Sequence, residues 1–281
     1  MVLVGLIACS HEPPRVAAPT TSTPTTTTST TTIPVVADPW TTTIAAAVGP
    51  ELGIEAAPPP ELSPSPIAVA TRAANQASFA SYSAERPGAP EIPRLDQAVA
   101  GRRRTPTGWV LESPTSFGGH AVVVVTEDHG NWLRVLVPAR PNGTEGWVRR
   151  NDVALSTTTL HVEVLVGART LRLYDGTTTV LEAPVIVGKS ASPTPLGRFY
   201  VTDVDAKYEG SAYGPWVLPL SGFSQALDTF GGGAPALALH GTNRPDLMSR
   251  AASNGCIRLP NDVITRLRDT LPMGTPVDIR P

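Results

Sequence analysis

Half of the 30 prolines lie before Gly101, and this uneven spread limits what the chain can fold into more than any other feature. Thr20 to Thr32 is almost pure Thr and Ser, broken only by Pro24, and Pro34, Pro39, Pro50, Pro58-Pro59-Pro60, Pro64 and Pro66 follow. A stretch this poor in bulky apolar side chains cannot offset the entropy of ordering itself. Residues 10–100 are therefore expected as a long disordered linker of polyproline II character. At ~3.1 Å per residue such a linker reaches on the order of 200 Å, and its Thr/Pro tract suits an O-glycosylated stalk. Within it, Ile67 to Tyr82 is Ala-rich and is expected as a short helix.

The start, Met1-Val-Leu-Val-Gly-Leu-Ile-Ala-Cys9-Ser10, is an apolar run ending in a cysteine. Leu6-Ile7-Ala8-Cys9 resembles the lipobox of bacterial lipoproteins, in which the cysteine becomes the lipidated N-terminus. Residues 1–9 thus read as a signal or lipobox-like segment, although no Lys or Arg precedes the run. No other stretch reaches the ~18 apolar residues that span a bilayer. With Cys9 lipidated, Cys256 has no partner, and a lone thiol outside the cytoplasm invites a catalytic explanation. The net charge of -2 gives no support for nucleic-acid binding. No Cys/His spacing suggests a metal site, and no cofactor motif appears. His11 and His129 read as linker and turn residues, His120 and His161 as strand residues.

From about Arg104 the texture changes to short β-branched runs divided by turn residues. His120 to Thr126, Trp132 to Val137 and Gly146 to Arg149 read as strands, with Asp128-His129-Gly130-Asn131 and Pro141-Asn142-Gly143 as turns. The order Trp132, Gly146-Trp147-Val148, Asp152-Val153 resembles the bacterial SH3-like family, which implies a small β-barrel over residues 101–156. Its role stays open between wall attachment and a plain spacer.

Residues 158–281 form a second β-rich region. Leu160 to Val166, Thr170 to Tyr174, Thr179 to Val187, Arg198 to Thr202, Ala236 to His240, Cys256 to Leu259 and Thr275 to Ile279 read as strands, with Asp175-Gly176 as a hairpin signal. Asn261 is placed to N-cap a helix through Thr270 whose apolar face is Val263, Ile264 and Leu267. The chemistry sits where one strand ends in His240 and another begins at Cys256. Thiol catalysis needs a base beside the sulfur, donors for an oxyanion and a rigid frame. His240-Gly241-Thr242 and Ser253-Asn254-Gly255-Cys256-Ile257-Arg258 can supply all three. The polar loop between them returns the chain so that the imidazole meets the thiol. Gly255 permits the tight turn that frees backbone amides, and the imidazole is expected to depress the thiol pKa into a thiolate–imidazolium pair.

This pattern resembles the active-site signature of the L,D-transpeptidase (YkuD) family. The resemblance extends upstream to Pro193-Thr-Pro-Leu-Gly197 and Tyr213-Gly-Pro-Trp216. It implies a β-sandwich with few helices, hence a mainly β chain overall: linker, SH3-like barrel, then catalytic sandwich. It implies an enzyme that cleaves the diamino acid–D-Ala bond of a peptidoglycan tetrapeptide stem through a cysteine acyl-enzyme and forms a 3→3 cross-link. By position, Cys256 matches the nucleophile and His240 the base. The Gly241 carbonyl matches the group that orients the imidazole, and the amides around Asn254, Gly255 and Cys256 match the oxyanion hole. Arg258 matches an arginine close to substrate, with a structural ion pair as its alternative, and Ser253 shapes the turn. The family's usual His before Gly-Cys is here Asn254. Two further readings stay open: an L,D-carboxypeptidase using the same site, and a non-catalytic wall-binding lipoprotein. All three place the chain outside the cytoplasm in the cell envelope, with peptidoglycan stem peptides as partner and a lipid anchor through Cys9. Oligomeric state is not legible.

Overall fold

A computed structural model describes residues 40–60, 62, 101–207 and 210–281. The lipobox-like segment with Cys9 and the Ala-rich stretch from Ile67 to Tyr82 lie outside the described residues. The first sheet is built from β1 (Thr42–Ala47), β2 (Glu51–Glu55), β3 (Arg102–Arg104), β4 (Gly108–Glu112), β5 (Val122–Asp128), β6 (Trp132–Leu136), β7 (Glu145–Arg149) and β8 (Val153–Thr158). Their spatial order is β3-β4-β2-β7-β6-β5-β1-β8.

Two of these strands come from residues expected in the linker. β1 lies between β5 and β8, with Ala45 opposite both Val123 and Leu155. β2 joins β4 to β7. The reason is local. Thr42 to Glu55 is a short island of strand chemistry inside a Pro-rich average, and Glu51-Leu-Gly-Ile-Glu55 alternates polar and apolar with Leu52 and Ile54 buried. The expected closed barrel over 101–156 is also not found. Among the described residues no pairing joins β3 to β8, so the sheet is open, and without β2 the strands of 101–156 would not form one sheet. Trp132 and Trp147 are buried.

The second region is a two-sheet sandwich. β9 (Leu160–Leu165), β10 (Thr170–Asp175), β11 (Thr178–Pro184), β13 (Gly197–Tyr200) and the C-terminal β19 (Pro276–Arg280) form a five-stranded sheet ordered β11-β10-β9-β19-β13. β14 (Asp205–Ala206), β15 (Trp216–Phe223), β16 (Ala236–His240) and β18 (Ile257–Arg258) form the opposing sheet. β12 (Val187–Gly188) pairs with β17 (Ala251–Ser253) at its side. Alternating side chains of both sheets meet in one core, including Val162, Val164, Leu171 and Leu173 from one and Leu218, Leu237, Leu239 and Ile257 from the other. Helix α1 (Asn261–Thr270) closes the core with Ile264 and Leu267, both fully buried, while Val263 is half-buried. Asn261, expected as the N-cap, is instead the first helical residue, and Pro260 stands before it.

The two regions belong to one compact unit. Tyr200 is fully buried between them and donates its hydroxyl to the Leu136 carbonyl at 3.2 Å. The Asn142 carboxamide pairs with both backbone groups of Phe223, donating to its carbonyl at 2.8 Å and accepting from its amide at 2.9 Å. Beside it, Arg140 donates to the Leu227 carbonyl at 3.1 Å and lies over the Phe223 ring. The turn Pro141-Asn142-Gly143 thus holds the end of β15 from outside the sandwich.

Because β2 is an inner strand, Leu52→Ala is expected to destabilise the full chain by about 2–5 kcal/mol. Chemical denaturation checks this; a loss below ~0.5 kcal/mol, the scale of an ordinary surface change, would contradict the placement of β2.

Candidate active site

β16 and β18 pair in parallel, with Leu239 opposite Ile257 and His240 opposite Arg258. Leu237, Leu239 and Ile257 point into the core. By the period of two, Ala236, Ala238, His240, Cys256 and Arg258 share the opposite face. Continuing the register one step places Cys256 beside Ala238, diagonal to His240. The strand arrangement therefore brings the expected base and thiol to one face and puts Arg258 beside both.

The imidazole is fixed. His240 is 2% exposed, and its Nδ1 lies 2.6 Å from the Gly241 carbonyl. A carbonyl can only accept, so Nδ1 carries the proton and Nε2 is left with its lone pair in the neutral ring. The Tyr213 ring lies against the imidazole at 5.0 Å between centroids. Gly241 must be glycine for space, because a Cβ there would sit 2.5 Å from Asn261 Oδ1. That oxygen accepts from the Thr242 amide at 2.8 Å, so the first residue of α1 holds the His240-Gly241-Thr242 corner.

Cys256 is half-buried. Its thiol donates to the Ala236 carbonyl at 3.8 Å, and no hydrogen bond joins it to His240. Direct imidazole–thiol bonding, expected from the sequence, is not made; facing carbonyls hold each group instead. The pKa directions also reverse the expected ion pair. Burial pushes the Cys256 thiol up, against the opposing pull of the Ala238 backbone and the Arg258 charge. Burial pushes His240 down to about 4, with Arg258 adding to it and the Gly241 and Tyr213 backbones opposing. The resting pair is a neutral thiol and a neutral imidazole, because desolvation penalises both charged forms.

The turn before the thiol is held from within. Ser253 is fully buried; its Oγ accepts from the Gly255 amide at 3.1 Å and donates to the Cys256 carbonyl at 2.6 Å. Gly255 sits at φ +117°, a region side-chain-bearing residues avoid. Its carbonyl accepts from Thr194 Oγ1 at 2.8 Å, and Thr194 accepts from the Gly188 amide at 2.8 Å. The Gly255 amide, expected in the oxyanion hole, is therefore occupied by Ser253. The amides of Asn254 and Cys256 make no backbone hydrogen bond. The Asn254 side chain is exposed.

Arg258 has no carboxylate partner among the described residues, and its Nε is buried without an acceptor. The structural ion pair offered as its alternative is absent. Sequence reasoning placed Tyr213 and Thr194 in similar segments but gave them no role, and it read Asn261 only as a cap. Their signal was the company of glycines: Gly214 and Gly241 pack too tightly for other residues, and Gly255 holds a positive φ.

Residues 159–279 match the family model for the L,D-transpeptidase catalytic domain, YkuD. YkuD of Bacillus licheniformis, named as an L,D-transpeptidase, is 28% identical over 170 residues, which are 58% of this chain and 95% of that protein. YkuD of Bacillus subtilis, named likewise, is 33% identical over 119 residues, 42% of this chain and 65% of that protein. Among solved structures, an L,D-transpeptidase from Mycobacterium tuberculosis is a distant likeness, with 15% identity and a TM-score of 0.37 over 57% of this chain and 90% of that one. The YkuD match begins at β9, so the eight-stranded sheet lies outside it.

Arg258→Ala removes the charge that favours the thiolate. The pH midpoint for iodoacetamide alkylation of Cys256 is expected to move up, and the His240 midpoint, read by NMR, to rise from about 4. Unmoved midpoints would show that the guanidinium does not act on the pair.

Proposed function

We propose that the chain is a peptidoglycan L,D-transpeptidase that forms 3→3 cross-links through a Cys256 acyl-enzyme. The observation that supports this most is the shared face of β16 and β18, with an imidazole anchored through Nδ1 beside a half-buried thiol. Because the resting pair is neutral, His240 Nε2 takes the thiol proton as the sulfur attacks, acting as general base rather than as half of a standing ion pair. The electron pair of the sulfur closes on the diamino acid carbonyl of the donor stem. The developing oxyanion faces the amides of Asn254 and Cys256, the two at the turn that lack backbone acceptors. The imidazolium then protonates the leaving amine, D-Ala departs, and a thioester remains. An acceptor amine gives its proton to His240 and attacks the thioester, restoring the thiol. Arg258, with a buried Nε that lacks an acceptor, would steady the thiolate and offer donors to substrate oxygen.

Water in place of the acceptor amine gives the L,D-carboxypeptidase reading with the same residues. Asn254 in place of the family's histidine is the only support for a decayed, wall-binding protein. We place the chain in the cell envelope, outside the cytoplasm, held to the outer face of the membrane by a lipid on Cys9.

Purified full chain with a disaccharide-tetrapeptide is expected to release D-Ala and form dimers, and Cys256→Ala to abolish both. Tripeptide without dimer would make it a hydrolase. Absence of turnover together with absence of any carbapenem adduct on the thiol, read by mass spectrometry, would sink the enzymatic reading.

A further inference from the structure

The five-stranded sheet also has an outward face, on the side of the sandwich away from Cys256. There a cavity of about 260 Å³ opens between that face and Trp40, just upstream of β1. Three rings stack nearly parallel along its wall. Trp40 lies on His161 with centroids 5.2 Å apart and planes at 18°, and His161 lies on Tyr174 at 4.9 Å and 11°. On the same face Asp278 holds Arg198 at 2.9 Å, and Glu163, which accepts from the Tyr174 hydroxyl at 3.3 Å, lies 3.4 Å from Arg280. The two carboxylates are about 15% exposed and the two guanidinium side chains 61%. Each arginine is thus oriented by a recessed carboxylate and keeps N–H donors turned outward.

We propose that this cavity is a glycan subsite that takes one neutral N-acetylhexosamine ring of a peptidoglycan strand. A pyranose has an apolar C–H face for an aromatic wall and a hydroxyl and acetamido edge for fixed donors and acceptors. The two carboxylates and two guanidinium groups cancel, so nothing in the lining favours an anion. The volume lies just under the ~300 Å³ at which pockets for drug-sized ligands begin, which suits a single ring. A tetrapeptide stem extends at most ~14 Å. The two sites face away from each other across sheets that pack about 10 Å apart, with side chains on both outer faces. The ring held here is therefore not the one carrying the reacting stem. It belongs to another part of the wall and keeps the enzyme on its polymer between turnovers. The choice of wall glycan rests on the proposed peptidoglycan function. A proline-rich segment, the chain's own included, is the rival occupant, since such ligands also dock aromatic-lined grooves, and the test below separates the two.

The test is equilibrium binding of the full chain to glycan strands freed of stem peptides by an amidase. Trp40→Ala and Tyr174→Ala are each expected to weaken binding about tenfold, the scale of losing one ring contact. Carbapenem acylation of Cys256 should not change in either variant. Binding should survive 1 M salt, since a neutral ring is not held by screened charge. Three outcomes would overturn the proposal: wild-type protein that does not bind, variants that bind equally well, or affinity that collapses in salt. Preferential saturation of the site by a synthetic peptide of residues 13–39 would also overturn it. Glycan binding lost on Trp40→Ala in a chain that never releases D-Ala would sink the transpeptidase reading alone and leave the subsite standing.

Discussion

The parallel pairing of β16 with β18 is the constraint on which the rest depends. Its register turns Leu239 and Ile257 inward and leaves His240, Cys256 and Arg258 on the outward face. A shift of one residue in β18 would put Cys256 and Arg258 into the apolar core and Ile257 into the cleft, and a shift in β16 would exchange His240 and Leu239 in the same way. Core burial therefore fixes the geometry of the site. The same buried leucines that stabilise the sandwich decide which side chains face the cleft, and α1 adds to this by packing Ile264 and Leu267 below while Asn261 grips the Thr242 amide above.

The electrostatics of the pair follow from where that face lies. It is enclosed enough that desolvation outweighs each favourable neighbour, so neither the thiolate nor the imidazolium stands ready. Arg258 favours the charged sulfur and disfavours the charged ring, which biases the pair toward a strong nucleophile beside an unprotonated base. A neutral resting thiol is also less open to adventitious oxidation, since the thiolate is the reactive form. On the proposed mechanism, proton transfer then belongs to the attack itself, and the Nδ1 bond to Gly241 leaves Nε2 to receive it.

The eight-stranded sheet meets this machinery from the side. Asn142 satisfies both backbone groups of Phe223 as an added strand would, and Phe223 pairs with Ala236, whose carbonyl faces the Cys256 thiol. Two residues thus link a turn of the first region to the wall of the cleft. The first region thereby braces the loop that leads into β16.

Much of this was legible in the chain. The change from Pro/Thr-rich to β-branched texture, the hairpin at Asp175-Gly176, the helix from Asn261 to Thr270 and the strands that end in His240 and begin beside Cys256 all rest on local chemistry that neighbouring residues carry themselves. The strands at Thr42–Ala47 and Glu51–Glu55 were hidden because a window of prolines masks two short runs whose partners lie up to about a hundred residues away. The ion-pair expectation failed because burial, a property of the packed fold, governs the sign of both pKa shifts. His161 reads as a plain strand residue until Trp40 and Tyr174 are brought onto its two faces. Residue type and spacing determined which groups can do chemistry here. Only the tertiary structure decided their protonation, their hydrogen-bond partners and their company, because desolvation and register are set by segments far apart in the chain.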